Sequence, residues 1–281
     1  MKKIKYFILT KSVGLYINLL NFFKPDKAKK IAYKLFSEPR IGRIDKNAIP
    51  KTLRNAIHET IQHKEHLLQT YIWKGNDNII LLVHGWESNA ARWKKILPYL
   101  KKTGSTIVAI DAPAHGLSSG KEFNVPKYAE FINAAVIKYR PKTIIGHSIG
   151  GAASAFYLYK YQNPDIEKIV LLGAPSEMKI IVENYVNMLS LNKKIGAFLK
   201  NVSEVKFDIK IDDFAAHLFA EKFSQKAFIA HDIHDKVVVV GEGRKFAKTW
   251  KNAVYIETEG LGHSMHDDEL YQKIIDFLEK S

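Results

Sequence analysis

The chain has 281 residues, 46% of them apolar and 26% charged, the balance of a globular protein rather than a disordered or fibrous one. It contains no cysteine, which excludes a disulfide framework, a thiolate metal site and a cysteine nucleophile. Lys and Arg number 43 against 29 Asp and Glu, a net charge of +14, but the lysines come in scattered pairs such as Lys29-Lys30 and Lys94-Lys95 without an aromatic-interleaved basic block, so nucleic acid is not an expected partner.

Residues Met1–Phe23 read as a helix with Lys2, Lys3 and Lys5 at one end. At 3.6 residues per turn, Lys3, Thr10, Gly14, Asn18 and Asn21 form a polar stripe, and apolar side chains fill the rest. No run in the chain reaches the roughly 18 uninterrupted apolar residues of a spanning helix. Three readings stay open for this segment. A secretory signal lacks its small-x-small cleavage site, and Lys11 interrupts it. An interfacial helix would give peripheral membrane contact. A helix packed on the domain is the third. A second helix follows Pro25, with Ala28, Ile31, Ala32, Leu35 and Phe36 on one face, until Pro39 and Gly42 break the pattern. Residues 1–43 are thus expected to be an N-terminal helical extension, and 44–281 the main domain.

A polar stretch leads to about Lys64, and strand-like alternation begins at His66–Trp73, with a turn at Gly75–Asn78. Strand-length apolar runs follow at Ile79–Val83, Ser105–Ile110, Thr143–Ile145, Lys168–Leu172, Ala227–Ala230 and Ala253–Ile256. Helical patterns separate them at Ala90–Leu100, Val125–Tyr139, Ala152–Tyr161 and Gly243–Trp250, and Glu269–Lys280 closes the chain. This alternation implies an α/β fold, a mostly parallel sheet flanked by helices. Some fifty residues between Pro175 and Gln225 carry helical patterning and no strand. An insertion there lies past the carboxyl ends of the strands, and 177–225 is expected to be a helical lid whose Tyr185, Met188, Leu189, Leu191, Ile195, Phe198 and Leu199 roof a pocket.

The strongest chemical signal is Gly146-His147-Ser148-Ile149-Gly150, between the buried run Thr143–Ile145 and the small residues from Ala152 on. A serine nucleophile needs a sharp strand-to-helix turn, which flanking glycines permit. The same turn puts the Ile149 N–H at a helix start, where it can meet a developing oxyanion. After Ile80–Val83 come His84-Gly85-Trp86, and the Trp86 N–H is the candidate second oxyanion donor. In Asp111–Gly120, Asp111 and Ser118 are expected to bind backbone amides and hold the loop beside the site.

A serine needs a base, and the base an orienting acid, in the chain order Ser, acid, His. Asp235, past the strand Ala227–Ala230, is the first choice of acid, with Asp232 and then Glu177 behind it. His263, in Gly260–His266, is the base, and His266 one turn on is a cap or a surface residue. His231, Asp232, His234 and Asp235 are metal-ligand types too, but their place suits the acid slot better, and no metal is expected.

With these residues named, the chain from about His66 onward resembles the α/β-hydrolase superfamily. The matching pieces are HGW at 84–86, DAPAHGLS at 111–118, GHSIGG at 146–151, HDIHDKVV at 231–238 and GLGH at 260–263. They are similar to the esterase and lipase-like branch with a helical lid after the sixth strand. That resemblance implies Asp235 as acid, although the proline usual soon after it is replaced by Val239 and Val240. It further implies cleavage of a carboxylic ester through an acyl-serine, on a small-molecule ester or acyl substrate and without a cofactor; the location expected for the chain is the cytoplasm. The alternatives are a lipid-surface, thioester or amide hydrolase on the same triad, or a non-catalytic binding protein on this fold.

Overall fold

A parallel strand covered by helices on both sides must be apolar at nearly every position, and several runs of this chain meet that condition. In the computed structural model, which describes residues 2–280 without the side chains of Lys2, Lys3 and Lys5, these runs lie side by side. The basic end read from those three lysines thus falls outside the described residues. The strands are β1 (Ile57–His63), β2 (His66–Trp73), β3 (Asn76–Val83), β4 (Ser105–Ile110), β5 (Thr143–His147), β6 (Lys168–Leu172), β7 (Lys226–Asp232) and β8 (Ala253–Thr258). The helices are α1 (Lys2–Phe23), α2 (Pro25–Ser37), α3 (Lys51–Arg54), α4 (Leu97–Lys102), α5 (Val125–Tyr139), α6 (Ile149–Tyr161), α7 (Met178–Leu189), α8 (Lys193–Phe207), α9 (Ala216–Ala220), α10 (Gly241–Thr249) and α11 (Asp268–Glu279).

The eight strands form one sheet in the order β1-β2-β4-β3-β5-β6-β7-β8. β2 pairs antiparallel with β1 and β4, and every other pair is parallel. On one face Tyr71, Ile80, Leu82, Ala109 and Phe228 pack against Trp93, Leu100, Tyr271, Ile274 and Phe277. The alternating residues Leu81, Val108, Ile144, Ile169 and Leu171 are equally buried, on the side of α5, α6 and α10. β5 sits centrally, so the loop at its carboxyl end is flanked by the loops after β3 and β6.

Four elements differ from the sequence expectation. α3 forms within the polar stretch, and β3 begins at Asn76, inside the turn expected at Gly75–Asn78. Residues 57–63 read as part of a polar connection, but they form the edge strand β1, exposed or half-exposed at every position. A strand wet on both faces carries no burial signal. The single helix expected over 90–100 divides into a 3-10 turn, Ala90–Lys94, and α4. Pro98 sits in the first turn of α4, where its missing N–H costs nothing.

The chain divides into two compact units, 39–176 with 216–281 and 1–38 with 177–215. The first holds the sheet and α3–α6 and α9–α11. The second joins the N-terminal helices to α7 and α8, so the extension expected at 1–43 and the lid expected at 177–225 share one body, and α9 falls outside it. Five of the seven apolar residues assigned to a pocket roof, Tyr185, Leu189, Leu191, Ile195 and Leu199, are buried with Ile17, Ala28 and Ala32 in this unit's own core, and Met188 and Phe198 pack partly against it.

Within this unit the polar stripe of α1 faces inward. Thr10 and Gly14 are buried, and a Cβ on Gly14 would run into the Leu189 carbonyl. Asn18 donates from Nδ2 to the Ser190 carbonyl at 2.8 Å, and its Oδ1 accepts the Asn192 N–H at 2.8 Å. Lys11 Nζ donates to the Asn187 carbonyl at 3.0 Å and to Ser190 Oγ at 2.8 Å. These contacts cap the turn between α7 and α8.

Ile195 is fully buried in this shared core. Ile195→Ala should therefore cost about 2–4 kcal/mol. Amide exchange should quicken together in α1, α2, α7 and α8, and a response confined to α8 would count against a single cooperative unit.

Candidate active site

Ser148 lies between β5 and α6 with φ +54° and ψ −131°, a backbone state that L-residues avoid. The Ser148 N–H donates to the Leu172 carbonyl of β6 at 2.9 Å, which pins the turn to the neighbouring strand. The turn is tight enough that a Cβ on Gly150 would collide with the Val83 and His84 carbonyls. Only glycine fits there. Ile149 is the first residue of α6, so its N–H has no acceptor within the helix.

The loop after β3 presses against this turn: a Cβ on Gly85 would lie 2.9 Å from Ser148 Cβ. Two buried histidines shape that loop. His84 Nδ1 donates to the Gly85 carbonyl at 2.7 Å, and its Nε2 accepts the Ala112 N–H at 2.9 Å. His115 Nε2 accepts the Glu87 N–H at 3.0 Å, and its Nδ1 donates to the Pro113 carbonyl at 2.8 Å. Burial holds His84 well below the usual imidazole range and His115 at about 4, so both rings are neutral. The Trp86 ring stands edge-on to His115 and Phe123.

Asp111 organises the loop after β4. Its fully buried carboxylate accepts from the Ala90 and Leu117 N–H groups at 2.9 Å and from the Tyr71 hydroxyl at 2.8 Å. Burial raises its pKa against the pull of those donors. Ser118 Oγ donates to the Asp111 carbonyl at 2.7 Å and accepts the Gln69 N–H at 2.9 Å.

His263 sits on a 3-10 turn, Gly262–Ser264, beyond β8. Ser148 Oγ and His263 Nε2 are 2.9 Å apart, and His263 Nδ1 and Asp235 Oδ2 are 2.7 Å apart. A carboxylate accepts only, so Nδ1 carries the proton and Nε2 is left to accept from the serine hydroxyl. Asp235 is buried, and its other oxygen accepts the Val237 and Val238 N–H groups at 2.8 and 3.0 Å. Burial raises its pKa, but His231 and His263 together outweigh that and hold the carboxyl below the ordinary range. His231 Nε2 lies 3.6 Å from Asp235 Oδ2 and donates to the Val238 carbonyl at 2.8 Å.

Ser148, His263 and Asp235 are thus brought into one hydrogen-bonded line. Asp232 is not in it. Its Oδ2 accepts the Leu261 N–H at 2.8 Å and the Thr258 hydroxyl at 3.0 Å, and its Oδ1 accepts the His234 N–H at 3.0 Å. It therefore holds the backbone that carries His263. Glu177 stands at the start of α7, and His266 Nδ1 bonds the Tyr271 hydroxyl at 2.6 Å. Among the described residues no group of three or more His, Asp or Glu converges as a metal site would.

His147 is the residue that motif reading passed over. Its ring lies 4.9 Å from the His263 ring, and its Nε2 donates to the His263 carbonyl at 2.7 Å. Its buried Nδ1 has no partner among the described residues, and burial keeps the ring neutral, well below the usual range. The only sequence signal was its place beside Ser148.

The three buried neutral rings, His84, His115 and His147, set a pH dependence. Their folded pKa values lie below the unfolded one of about 6.5, so under that pH the unfolded chain binds more protons. Stability should fall as pH drops from about 6.5 towards 4, each ring contributing up to about 1.4 kcal/mol per pH unit. Melting temperatures at pH 7, 5.5 and 4.5 should decline in order, and equal values would contradict the assignment.

A family model described as the alpha/beta hydrolase fold matches residues 78–192. A bifunctional esterase/perhydrolase of Acinetobacter calcoaceticus is 28% identical over 146 residues, 48% of this chain and 52% of the relative. A human serine hydrolase-like protein is 31% identical over 102 residues, 34% of this chain and 49% of the relative. The chain thus spans about half the length of these curated relatives. Among solved structures, a bromoperoxidase from Bacillus anthracis superposes with a TM-score of 0.64 at 18% identity, covering 80% of this chain and all of that one, a likeness of fold. The sheet order, the turn at Ser148, the family model and this superposition make the chain an α/β-hydrolase fold protein.

Proposed function

We propose that the chain is a serine hydrolase that cleaves a carboxylic ester through an acyl-serine intermediate. The observation carrying this reading is the line Ser148 Oγ, His263 Nε2 at 2.9 Å, His263 Nδ1, Asp235 Oδ2 at 2.7 Å, mounted on a turn with φ +54°. As Ser148 Oγ attacks the acyl carbon, its proton passes to His263 Nε2, and the resulting imidazolium is stabilised by the Asp235 carboxylate. The N–H groups of Ile149 and Trp86 stabilise the tetrahedral oxyanion. His263 then returns the proton to the leaving alcohol, and water, deprotonated by the same ring, releases the acid. The names of the relatives, an esterase/perhydrolase and a serine hydrolase-like protein, support the reaction class.

Ser148→Ala should abolish labelling by a fluorophosphonate probe and turnover of p-nitrophenyl esters, with an unchanged melt. Labelling that persists on another serine would reject Ser148. Asp235→Asn should lower turnover by about three to four decades, because the wrong imidazole tautomer then prevails. Asp232→Ala acts only through the backbone under His263 and should cost up to about 10²-fold. The reverse ranking would exchange the roles of the two acids.

A further inference from the structure

α1 buries Ile17 in the core of its unit, yet most of its large apolar side chains lie outside that core. Two residues of its polar stripe, Gly14 and Asn18, are docked on the turn between α7 and α8. Its outer arc carries Ile4, Ile8, Leu15, Leu19, Phe22 and Phe23, which share one side of the helix and are 57–83% exposed. Ten large apolar side chains of α1 are more than half exposed in all. The six of the outer arc alone, at roughly 100 Å² each, present on the order of 600 Å², the upper end of the largest patch on a typical soluble monomer.

We propose that this face docks on an anionic lipid bilayer, α1 lying in the headgroup plane with its outer arc among the upper acyl chains. Charge argues for this occupant. Residues 1–38 hold nine lysines against Asp26 and Glu38, a net +7, half of the whole chain's +14. Lys24, Lys27, Lys30 and Lys34 are exposed. An anionic surface attracts such a segment, whereas a second copy would bring two +7 segments together. Tyr16, at the edge of the outer arc, adds a ring with a polar tip, a side chain favoured where acyl chains meet headgroups. No described helix is long and apolar enough to cross a membrane, and one side of α1 is already bonded to protein, so the helix lies on the bilayer rather than through it.

The test uses the full chain with vesicles of phosphatidylcholine alone and of phosphatidylcholine with about 30 mol% phosphatidylglycerol. The chain should sediment with the anionic vesicles, weakly or not at all with the neutral ones, and salt should release it. Leu15→Asp with Leu19→Asp should lower binding at least about tenfold, with the melt and the fluorophosphonate labelling unchanged. Absence of binding by the parent chain, or equal binding by the double variant, overturns the proposal. So does a solution dimer that the double variant splits, since a second copy then covers the face. Tyr16→Trp gives a readout independent of the double variant's folding. Its emission should be quenched by brominated acyl chains in anionic vesicles, and emission unaffected by them rejects the docking.

Discussion

Everything in the candidate site is arranged around one backbone position, the left-handed φ of Ser148. A non-glycine residue held in that state costs about 1–3 kcal/mol, so the surroundings must leave it no alternative. β5 is paired on both sides, to β3 and β6, and cannot shift to relieve the turn. The bond from Ser148 N–H to the Leu172 carbonyl ties the strained residue to β6. The close approach of Gly150 to the end of β3 leaves α6 one place to begin. The loops after β3 and β4 are then fastened to each other by His84, His115 and Asp111, whose donors and acceptors are spent on backbone groups. Strain at a single residue thus accounts for the residue types of three loops.

The imidazole that faces this turn is held from three directions. Asp235 bonds its Nδ1, Asp232 bonds the backbone at Leu261 just before it, and His147 bonds its own carbonyl. A ring fixed only at Nδ1 could still pivot about that bond; with its backbone anchored before and at His263, the direction of Nε2 is set as well. By sequence the two aspartates were rivals for one role, because both follow the apolar run Ala227–Ala230 and spacing cannot tell which carboxylate reaches a ring. In the fold their tasks are complementary.

Much of this was legible in the sequence, for a physical reason. Strands buried on both faces announce themselves by apolar runs, and a strained elbow demands glycines at set offsets, so β3–β8 and the Ser148 turn could be read directly. What stayed hidden lacked such compulsion. β1 is wet on both faces and shows only polar alternation. His147 is an ordinary residue whose importance comes from a contact 116 positions away. The polar stripe of α1 was visible, but a stripe does not say which way it points; here the unpaired groups at the turn after α7 took it inward.

The grouping of 1–38 with 177–215 was likewise beyond reach of local pattern, because its core is made by residues far apart in the chain. α7 and α8 offer Val182, Tyr185, Leu189, Ile195 and Leu199, and α2 answers with Ala28 and Ala32, small enough to let helices approach closely. Neither pair of helices buries these side chains alone. Lys11 and Asn18 add bonds to the α7–α8 turn, so α1 is part of that body's architecture as well as the bearer of its exposed apolar face. Deleting α1 would therefore uncover Ile17's partners and leave the Ser190 carbonyl without Asn18, and a loss of lipid binding on deletion would follow from damage to the unit as readily as from loss of the docking face. Substitutions on the outer arc separate the two, because Leu15 and Leu19 are more than half exposed and outside the shared core.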